Sequence, residues 1–246
     1  MPRERILVIG GPGSGKTLGW IKLANYLKSA QIYVIDTEIG AERSLQEAPG
    51  LTNVHVYPVV EWPEYRKAQR EAVEKAGEGD WIVLDMADKA WTAVQRYFIG
   101  EIFDQEMGDY FLEARKKMKK DSKSLFAGRD AALKGWTDWP TINRLYDDFM
   151  LPLVYRSAAN LYMVSSGQGV SEDDDKEIQD LYGPYRLRPA GQKNLAHQPD
   201  TVLLFSHTKD GYFMSTIKDR GGRRYMDKEP LHNFALQYGR MIAGLK

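Results

Sequence analysis

The chain has 246 residues, with 34 basic and 34 acidic side chains and no cysteine. The balanced charge gives no overall basic field, so a nucleic acid or membrane partner would require a local patch, and the lack of cysteine excludes disulfides, thiol catalysis and cysteine-ligated zinc. The four histidines are scattered without the spacing of a metal site. No apolar run reaches transmembrane length, and the first apolar strand starts too close to Met1 for a signal peptide. We therefore expect a cytoplasmic protein with no membrane partner.

The first predicted strand leads directly into a glycine-rich phosphate-binding motif. Residues 6–9 are apolar, and the next eight read Gly10-Gly11-Pro12-Gly13-Ser14-Gly15-Lys16-Thr17, the pattern G-x-x-x-x-G-K-T of a P-loop. The glycines let successive backbone N–H groups point at a polyphosphate, and the helix that follows adds its positive N-terminal end. Lys16 is predicted to reach the β- and γ-phosphates, and Thr17 to bind Mg²⁺. The motif predicts a site for a nucleoside triphosphate, expected to be ATP, with Mg²⁺.

Strands and helices alternate as far as residue 85. The patterns predict a helix at 17–29, a buried strand at 31–38, a short strand at 54–60, a charged helix at 62–76 and a strand at 81–85. This order predicts an α/β fold with a doubly wound, mainly parallel sheet. Asp85 ends its strand and is predicted to hold Mg²⁺, either directly or through a ligand of the ion, as the Walker B carboxylate. Capping of the next helix is the other role that its position allows.

The second half of the sequence is less regular. Between 91 and 140 an aromatic-rich segment leads into the basic run 115–120, which is predicted to be mobile between two helices, the second from about 141 to 157. A strand at 160–166 then opens into a long loop, 167–199. The chain finishes with an antiparallel β-hairpin of residues 201–206 and 212–217, and with a helix at about 231–242. We expect one domain over 1–246, with 91–140 as a helical and basic elaboration.

Hydrolysis of a γ-phosphate also requires a group that orients or deprotonates water. Many ring ATPases and DNA-packaging motors carry Glu directly after the Walker B aspartate, but here Met86 follows Asp85. Glu38 ends the strand that is expected to lie beside the P-loop strand, where it could supply the base. A solvated carboxylate at a strand end is the alternative interpretation of this residue.

Several segments resemble the RecA-like recombinases. The run 34–38, which ends in Asp36-Thr37-Glu38, is similar to the segment that carries the catalytic glutamate of that family. The strand end at 165–168 is similar to the point where a polar residue, often Gln, senses the γ-phosphate and opens a DNA-binding loop. By this resemblance Gln168 is the sensor, with Ser165 and Ser166 as alternatives. Residues 191–204 resemble the return from that loop into the next strand.

Two further segments indicate which group of RecA-like proteins the chain resembles most. Lys218-x-Arg220 is similar to the Lys-x-Arg of RadA-type relatives, in which both side chains reach the ATP of the neighbouring subunit. Trp139, Asn143 and Tyr146 precede the fourth strand. The order of all these segments is most similar to small phage-encoded RecA-like ATPases that are linked to recombination and single-strand annealing.

The resemblance implies a RecA-like fold and a Mg²⁺-dependent, DNA-stimulated ATPase that works on single-stranded DNA as a homo-oligomer, either a ring or a filament. It places the protein in the host cytoplasm if a phage encodes it. The catalytic residues that it implies are Lys16, Glu38, Gln168, Lys218 and Arg220.

Two basic segments are candidates for contact with DNA. Single strands bind in basic grooves with aromatic side chains for stacking. The loop at 182–193 offers Tyr182, Tyr185, Arg186, Arg188 and Lys193, and the stretch 115–123 offers five lysines and an arginine. Runs of charge are usually solvated, and the acidic run 172–175 would repel phosphate beside the loop. The resemblance favours the loop over the lysine stretch.

Three other functions are compatible with the P-loop. A packaging or helicase ring working on duplex DNA or protein is one, although the missing Glu after Asp85 counts against it. A small-molecule kinase is the second, with 91–140 as substrate domain and lid and with Arg220, Arg223 and Arg224 available to the lid. A kinase would have no need of the late hairpin. The third is a nucleotide-gated binding module without turnover.

Overall fold

The computed structural model describes residues 3–46, 48–121, 138–222 and 226–242. Its strands are β1 (Arg5–Gly10), β2 (Ile32–Asp36), β3 (Val54–Pro58), β4 (Trp81–Asp85), β5 (Asn160–Gly169), β6 (Leu187–Pro189), β7 (Thr201–Thr208), β8 (Gly211–Asp219) and β9 (Glu229–Pro230). Its α-helices are α1 (Lys16–Tyr26), α2 (Ala41–Gln46), α3 (Trp62–Lys75), α4 (Ala87–Phe103), α5 (Met107–Asp121), α6 (Trp139–Leu151), α7 (Lys176–Tyr182) and α8 (Phe234–Ile242).

The strands form one sheet in the order β3-β2-β4-β5-β1-β7-β8-β9, with β6 paired to the end of β5. The six strands from β3 to β7 are parallel, and β6, β8 and β9 pair antiparallel to their neighbours. The central strands are continuous apolar runs because both faces of a parallel sheet are covered by helices. The predicted α/β sheet with a C-terminal antiparallel hairpin is confirmed.

Hydrophobic cores lie on both faces of the sheet. Successive residues of β1 point to opposite faces, so that Leu7 and Ile9 join the core under α3, α4 and α6, whereas Ile6 and Val8 join the core under α1 and α8. All four side chains are fully buried. The two cores fix the direction of the strands and bring the carboxyl ends of β1, β4 and β5 to one edge of the sheet.

Three of the predicted elements differ in the structure. The basic run 115–120, predicted to be mobile, lies within α5, because its Lys, Arg and Met residues are strong helix formers. The loop predicted at 167–199 contains α7 and β6, and β5 itself continues to Gly169. The helix predicted to run to residue 157 leaves the α conformation at Leu151 and continues as a single π-helical turn over Pro152–Arg156. The rest of the predicted elaboration, residues 122–137, lies outside the described residues.

None of the helices in the described parts of the chain is long and apolar enough to cross a membrane.

Two helical glycines differ sharply in their surroundings, which permits a test of the packing. A Cβ on Gly19 would lie under 3.0 Å from the hydroxyl oxygen of Tyr162 and 3.0 Å from Phe205, both buried, whereas a Cβ on Gly100 would meet none of the described residues within 4 Å. We expect Gly19→Ala to lower the free energy of unfolding by about 1 to 3 kcal/mol through overpacking. Gly100→Ala is the matched control and should raise it by about 0.5 to 1 kcal/mol through helix propensity. Urea unfolding measures both, and equal effects would contradict the close packing of α1 on the sheet.

Candidate nucleotide-binding site

The loop between β1 and α1 has the backbone of a phosphate cradle. Gly13 and Gly15 have φ of 68° and 89°, in the left-handed region that favours glycine. A Cβ on Gly10 would lie under 3.0 Å from the carbonyl oxygen of Phe205 on β7, so β1 can pass this close only without a side chain. The buried hydroxyl of Ser14 has no hydrogen-bond partner within the described part of the chain. A buried polar atom without a partner in a glycine loop fits a bound polyphosphate.

Lys16 begins α1 and reaches back over the loop. Its Nζ donates hydrogen bonds to the carbonyl oxygens of Gly10 at 3.0 Å and Gly11 at 2.9 Å. Burial lowers the pKa of Lys16, while the charges of Asp85, Asp88 and Glu38 raise it. The ammonium group therefore lies beside the loop within the field of three carboxylates, in position to pair with an anion there.

The two predicted Mg²⁺ ligands lie next to each other. The Thr17 hydroxyl donates a hydrogen bond to Oδ2 of Asp85 at 2.9 Å, and Trp20 Nε1 donates to the same oxygen at 3.0 Å. Asp85 is 6% exposed; its burial raises the pKa of the carboxyl, and the hydrogen bonds from Trp20 and Thr17 act in the opposite direction. Mg²⁺ prefers hydroxyl, water and carboxylate oxygens and commonly takes only one or two from the protein. The residues present fit Mg²⁺ accompanied by phosphate oxygens.

Glu38 lies near these groups, although its strand is not the direct neighbour of the P-loop strand that the sequence predicted. We expected its strand to neighbour the P-loop strand, and this was wrong: β1 pairs with β5 and β7, while β4 and β5 stand between β1 and β2. The Glu38 carboxylate is 50% exposed and lies 3.5 Å from Nζ of Lys89. Its charge nevertheless raises the pKa of both Lys16 and Asp85, so Glu38 remains within electrostatic reach of the cradle.

The turn that carries Glu38 is fixed by its two preceding residues. Asp36 is buried and accepts hydrogen bonds from the backbone N–H of Ala41 at 2.9 Å and of Glu38 at 3.3 Å. Thr37 donates its backbone N–H to the carbonyl of Asp85 at 2.7 Å and accepts, through its hydroxyl, the N–H of Met86 at 2.7 Å. The peptide between Asp85 and Met86 is cis. The hydrogen bonds of Asp36 and Thr37 hold the Glu38 turn against the end of β4.

Asp88 is a candidate site residue that was not predicted from the sequence. It lies in the first turn of α4 and accepts a hydrogen bond from the backbone N–H of Ser166 at 3.2 Å. Gly191, with φ of 97°, packs so closely on Asp88 that a Cβ would lie 3.0 Å from the Asp88 Cα. Asp88 thus joins the cradle, the end of β5 and the loop after β6. The sequence signal that could have identified it is its position, since this carboxylate lies only three residues after Asp85.

The three candidate sensors occupy different positions along β5. Ser165 is fully buried, with its hydroxyl 3.1 Å from the carbonyl oxygens of Ser166 and Ala190. Ser166 is level with Gly10 in the parallel register, at the edge of the P-loop. Gln168 is exposed and lies two residues further, on the antiparallel extension opposite Arg188. Among the three, Ser166 lies level with the P-loop backbone, and the choice of Gln168 stays a prediction.

Lys218 and Arg220 lie at the other end of the sheet. Lys218 is opposite Val202, which pairs with Leu7, three residues or about 10 Å of strand before Gly10. Their side chains contact the turn at 196–200 of the same chain. The sheet therefore does not bring the Lys-x-Arg pair to the P-loop of its own chain.

Several side chains of the predicted DNA-binding loop are buried or bonded within the protein. Tyr182 is fully buried, and the Tyr185 hydroxyl donates to the carbonyl of Thr216 at 3.4 Å. Arg188 Nε donates to Oδ2 of Asp174 at 2.9 Å. Arg186 and Lys193 are exposed. Of the lysine stretch, Arg115 and Lys116 are exposed on α5, and the other side chains lie outside the described residues.

Helix α6 contacts both α4 and the loop that follows β6. Trp139 stacks on Trp91 of α4 at 5.9 Å between ring centroids, and Oδ1 of Asn143 accepts a hydrogen bond from Gln192 at 3.3 Å. Tyr146 is fully buried. The three residues that were part of the resemblance therefore contribute packing and a hydrogen bond next to the loop that follows β6.

No protein-family model and no curated protein matches the chain. Among solved structures, the crystal structure of the RadB recombinase is similar, with a TM-score of 0.50 and 11% sequence identity over 89% of this chain and 82% of that chain. This chain has a RecA-like fold. At this identity the likeness is one of fold, and it agrees with a RecA-like sheet whose carboxyl edge carries the cradle.

Proposed function

We propose that the chain is a Mg²⁺-dependent, RecA-like ATPase that acts on single-stranded DNA in recombination or annealing, in the host cytoplasm if a phage encodes it. In this proposal 1–246 form one domain, with 91–140 as its elaboration, and copies associate as a homo-oligomer. The observation that carries the proposal is the P-loop with Thr17 and Asp85 hydrogen-bonded beside it, on the carboxyl edge of a RecA-like sheet.

In this proposal each group at the edge has one role. The backbone N–H groups of residues 10–17, except Pro12, and the Lys16 ammonium bind the β- and γ-phosphates. Thr17 and Asp85 hold Mg²⁺, which when bound would neutralise charge on the phosphate oxygens. Glu38 accepts a proton from the attacking water on its carboxylate. Gln168 senses the γ-phosphate, with Ser165 and Ser166 as alternatives, and the 218–220 segment of a neighbouring copy supplies positive charge.

The proposed DNA contact is the loop at 182–193. Arg186 and Lys193 are exposed and can meet phosphates directly. Arg188 must first leave Asp174, and Tyr185 must leave its contact with the core. The Asp88 to Gly191 contact joins this loop to the nucleotide site, so that binding at either place can affect the other.

The test is ATP hydrolysis by the purified full chain without nucleic acid, with single-stranded DNA and with duplex DNA, at two salt concentrations. We expect strong stimulation by single strands that weakens at the higher salt, because phosphate contacts are salt-dependent. Hydrolysis that is indifferent to all DNA would contradict the proposal and favour the kinase or protein-remodelling alternatives. A screen of small-molecule acceptors would then separate those two.

Release of Arg188 from its acidic partner should strengthen DNA binding. Asp174 and Arg188 are both largely buried, and their 2.9 Å ion pair withholds a guanidinium from the loop surface. We expect Asp174→Asn to tighten binding of an oligo(dT) probe by about two- to tenfold, with a steeper salt dependence. Asp173→Asn removes the same charge from an exposed neighbour and is the matched control. Fluorescence anisotropy measures both, and equal gains in the two variants would indicate net charge rather than Arg188.

A further inference from the structure

The two residues of the Lys-x-Arg segment have different surroundings. Lys218 is the second-last residue of β8, and Arg220 directly follows the strand's last residue. Lys218 is half-buried, whereas the side chain of Arg220 is 54% exposed. Both contact the turn of residues 196–200, which we call the 196–200 turn.

The ammonium group of Lys218 is saturated by this turn. Its Nζ lies 3.1 Å from the carbonyl oxygen of Ala196, 3.5 Å from that of His197 and 2.9 Å from that of Pro199. An ammonium has three N–H donors, so three carbonyl acceptors leave none for a phosphate. Burial and the charge of Arg220 also lower the pKa of Lys218 to about 8. A group that is half-buried and fully bonded is poorly placed to reach across an interface.

Arg220 rests on the same turn, and its contacts with the described residues leave some of its donors available. One terminal nitrogen donates to the carbonyl of His197 at 3.0 Å, and the other lies 3.6 Å from Oδ1 of Asp200. Asp200 is itself held by Arg5, which donates to both carboxylate oxygens at 2.7 and 2.9 Å. A guanidinium has five N–H donors, so these contacts orient Arg220 without saturating it.

We infer that Lys218 is a positioning residue that holds the 196–200 turn, and that Arg220 alone is the catalytic residue this segment presents to the nucleotide of a second copy. The inference rests on the proposed function. In it the Lys218 ammonium fixes the carbonyls at 196, 197 and 199, the His197 carbonyl and Asp200 set the direction of the Arg220 guanidinium, and Arg5 fixes Asp200. The effect of Lys218 on turnover therefore passes through Arg220.

A double-mutant cycle on kcat tests the dependence. Arg220→Ala is expected to lower kcat by about a thousandfold or more, as for a lost arginine finger. Lys218→Met keeps the aliphatic stem and should lower kcat by about ten- to a hundredfold, because the finger is misplaced rather than removed. The double variant should match Arg220→Ala alone. If the two losses multiply instead, Lys218 acts on the nucleotide independently and the inference is overturned.

The role of Lys218 in the turn is tested separately, without ATP. Amide hydrogen exchange of residues 196, 197, 198 and 200 should be at least tenfold faster in Lys218→Met than in the wild-type chain, and unchanged in Arg240→Ala, a control on the exposed face of α8. Unchanged exchange in Lys218→Met would overturn the inference. A wild-type chain without ATPase activity would instead remove the proposed function and leave this measurement intact.

A conservative variant covers the case in which Lys218→Met unfolds. Lys218→Arg retains a cation with donors for the same three carbonyls. It should keep wild-type exchange in the 196–200 turn and turnover within about threefold of wild type, since the turn still orients Arg220. Loss of turnover in Lys218→Arg with the exchange of the turn unchanged would show that the ammonium itself meets the nucleotide, against the inference.

Discussion

Replacement of Glu38 by Gln is expected to abolish ATP turnover while affinity for ATP stays within about twofold of wild type. The amide matches the carboxylate in size but cannot accept a proton from water, and loss of a general base typically costs about a hundred- to ten-thousandfold in rate. Glu38 is half-exposed and lies outside both cores, and the turn is fixed by Asp36 and Thr37, so the fold should be unaffected. Steady-state hydrolysis and calorimetric ATP binding measure the two quantities.

Glu42→Gln is the matched control for this experiment. Glu42 lies four residues further, exposed in the first turn of α2, and its loss removes the same charge from the same region. Its turnover should equal that of wild type. Retained turnover in Glu38→Gln would show that the base lies elsewhere, and Asp88, whose carboxylate lies at the end of β5, would be the next residue to replace.

Arg220→Ala is expected to lose turnover and to regain part of it when mixed with Glu38→Gln. Each variant alone lacks one necessary group at every interface between copies. In a mixed oligomer, a chain with intact Glu38 can lie beside a chain with intact Arg220. With random mixing in equal amounts, about a quarter of all interfaces then contain both groups. Hydrolysis by the mixture, measured against the sum of the separate variants, should therefore be clearly higher.

Arg240→Ala provides the matched control, because Arg240 is an exposed arginine on α8. It should hydrolyse ATP like wild type, and its equal mixture with Arg220→Ala should hydrolyse no faster than the sum of the two separate variants. Normal hydrolysis by Arg220→Ala as a monomer, established by light scattering during the assay, would end the idea of a finger in trans.

The parts of the fold that the sequence predicted well are those with a local cause. Buried parallel strands are unbroken apolar runs, so β1, β2 and β4 were found to within a few residues. The P-loop has a fixed spacing because its glycines are needed at fixed backbone positions, which the positive φ of Gly13 and Gly15 shows directly. Asp85 was found because it ends a buried strand.

The parts that it predicted poorly depend on residues distant in sequence. Strand order depends on how each crossover packs, and for this reason Glu38 was assigned to a neighbour of β1 when β2 lies three places away. Asp88 acts through the backbone of Ser166, which lies 78 residues later. Helix α7 was missed because its short sequence has no strong helical pattern and the chain before it is held by tertiary contacts, such as Asp174 with Arg188.

The separation of the cradle from Arg220 gives any assembly a direction. The cradle lies at the carboxyl end of the parallel strands and Arg220 at their amino end, so in the proposed oligomer the carboxyl end of one sheet faces the amino end of the next. We therefore expect the copies of the proposed oligomer to stack head to tail, each contact repeating in the same direction. An open stack then always has one incomplete terminal site, so specific activity should rise with protein concentration as the stacks lengthen.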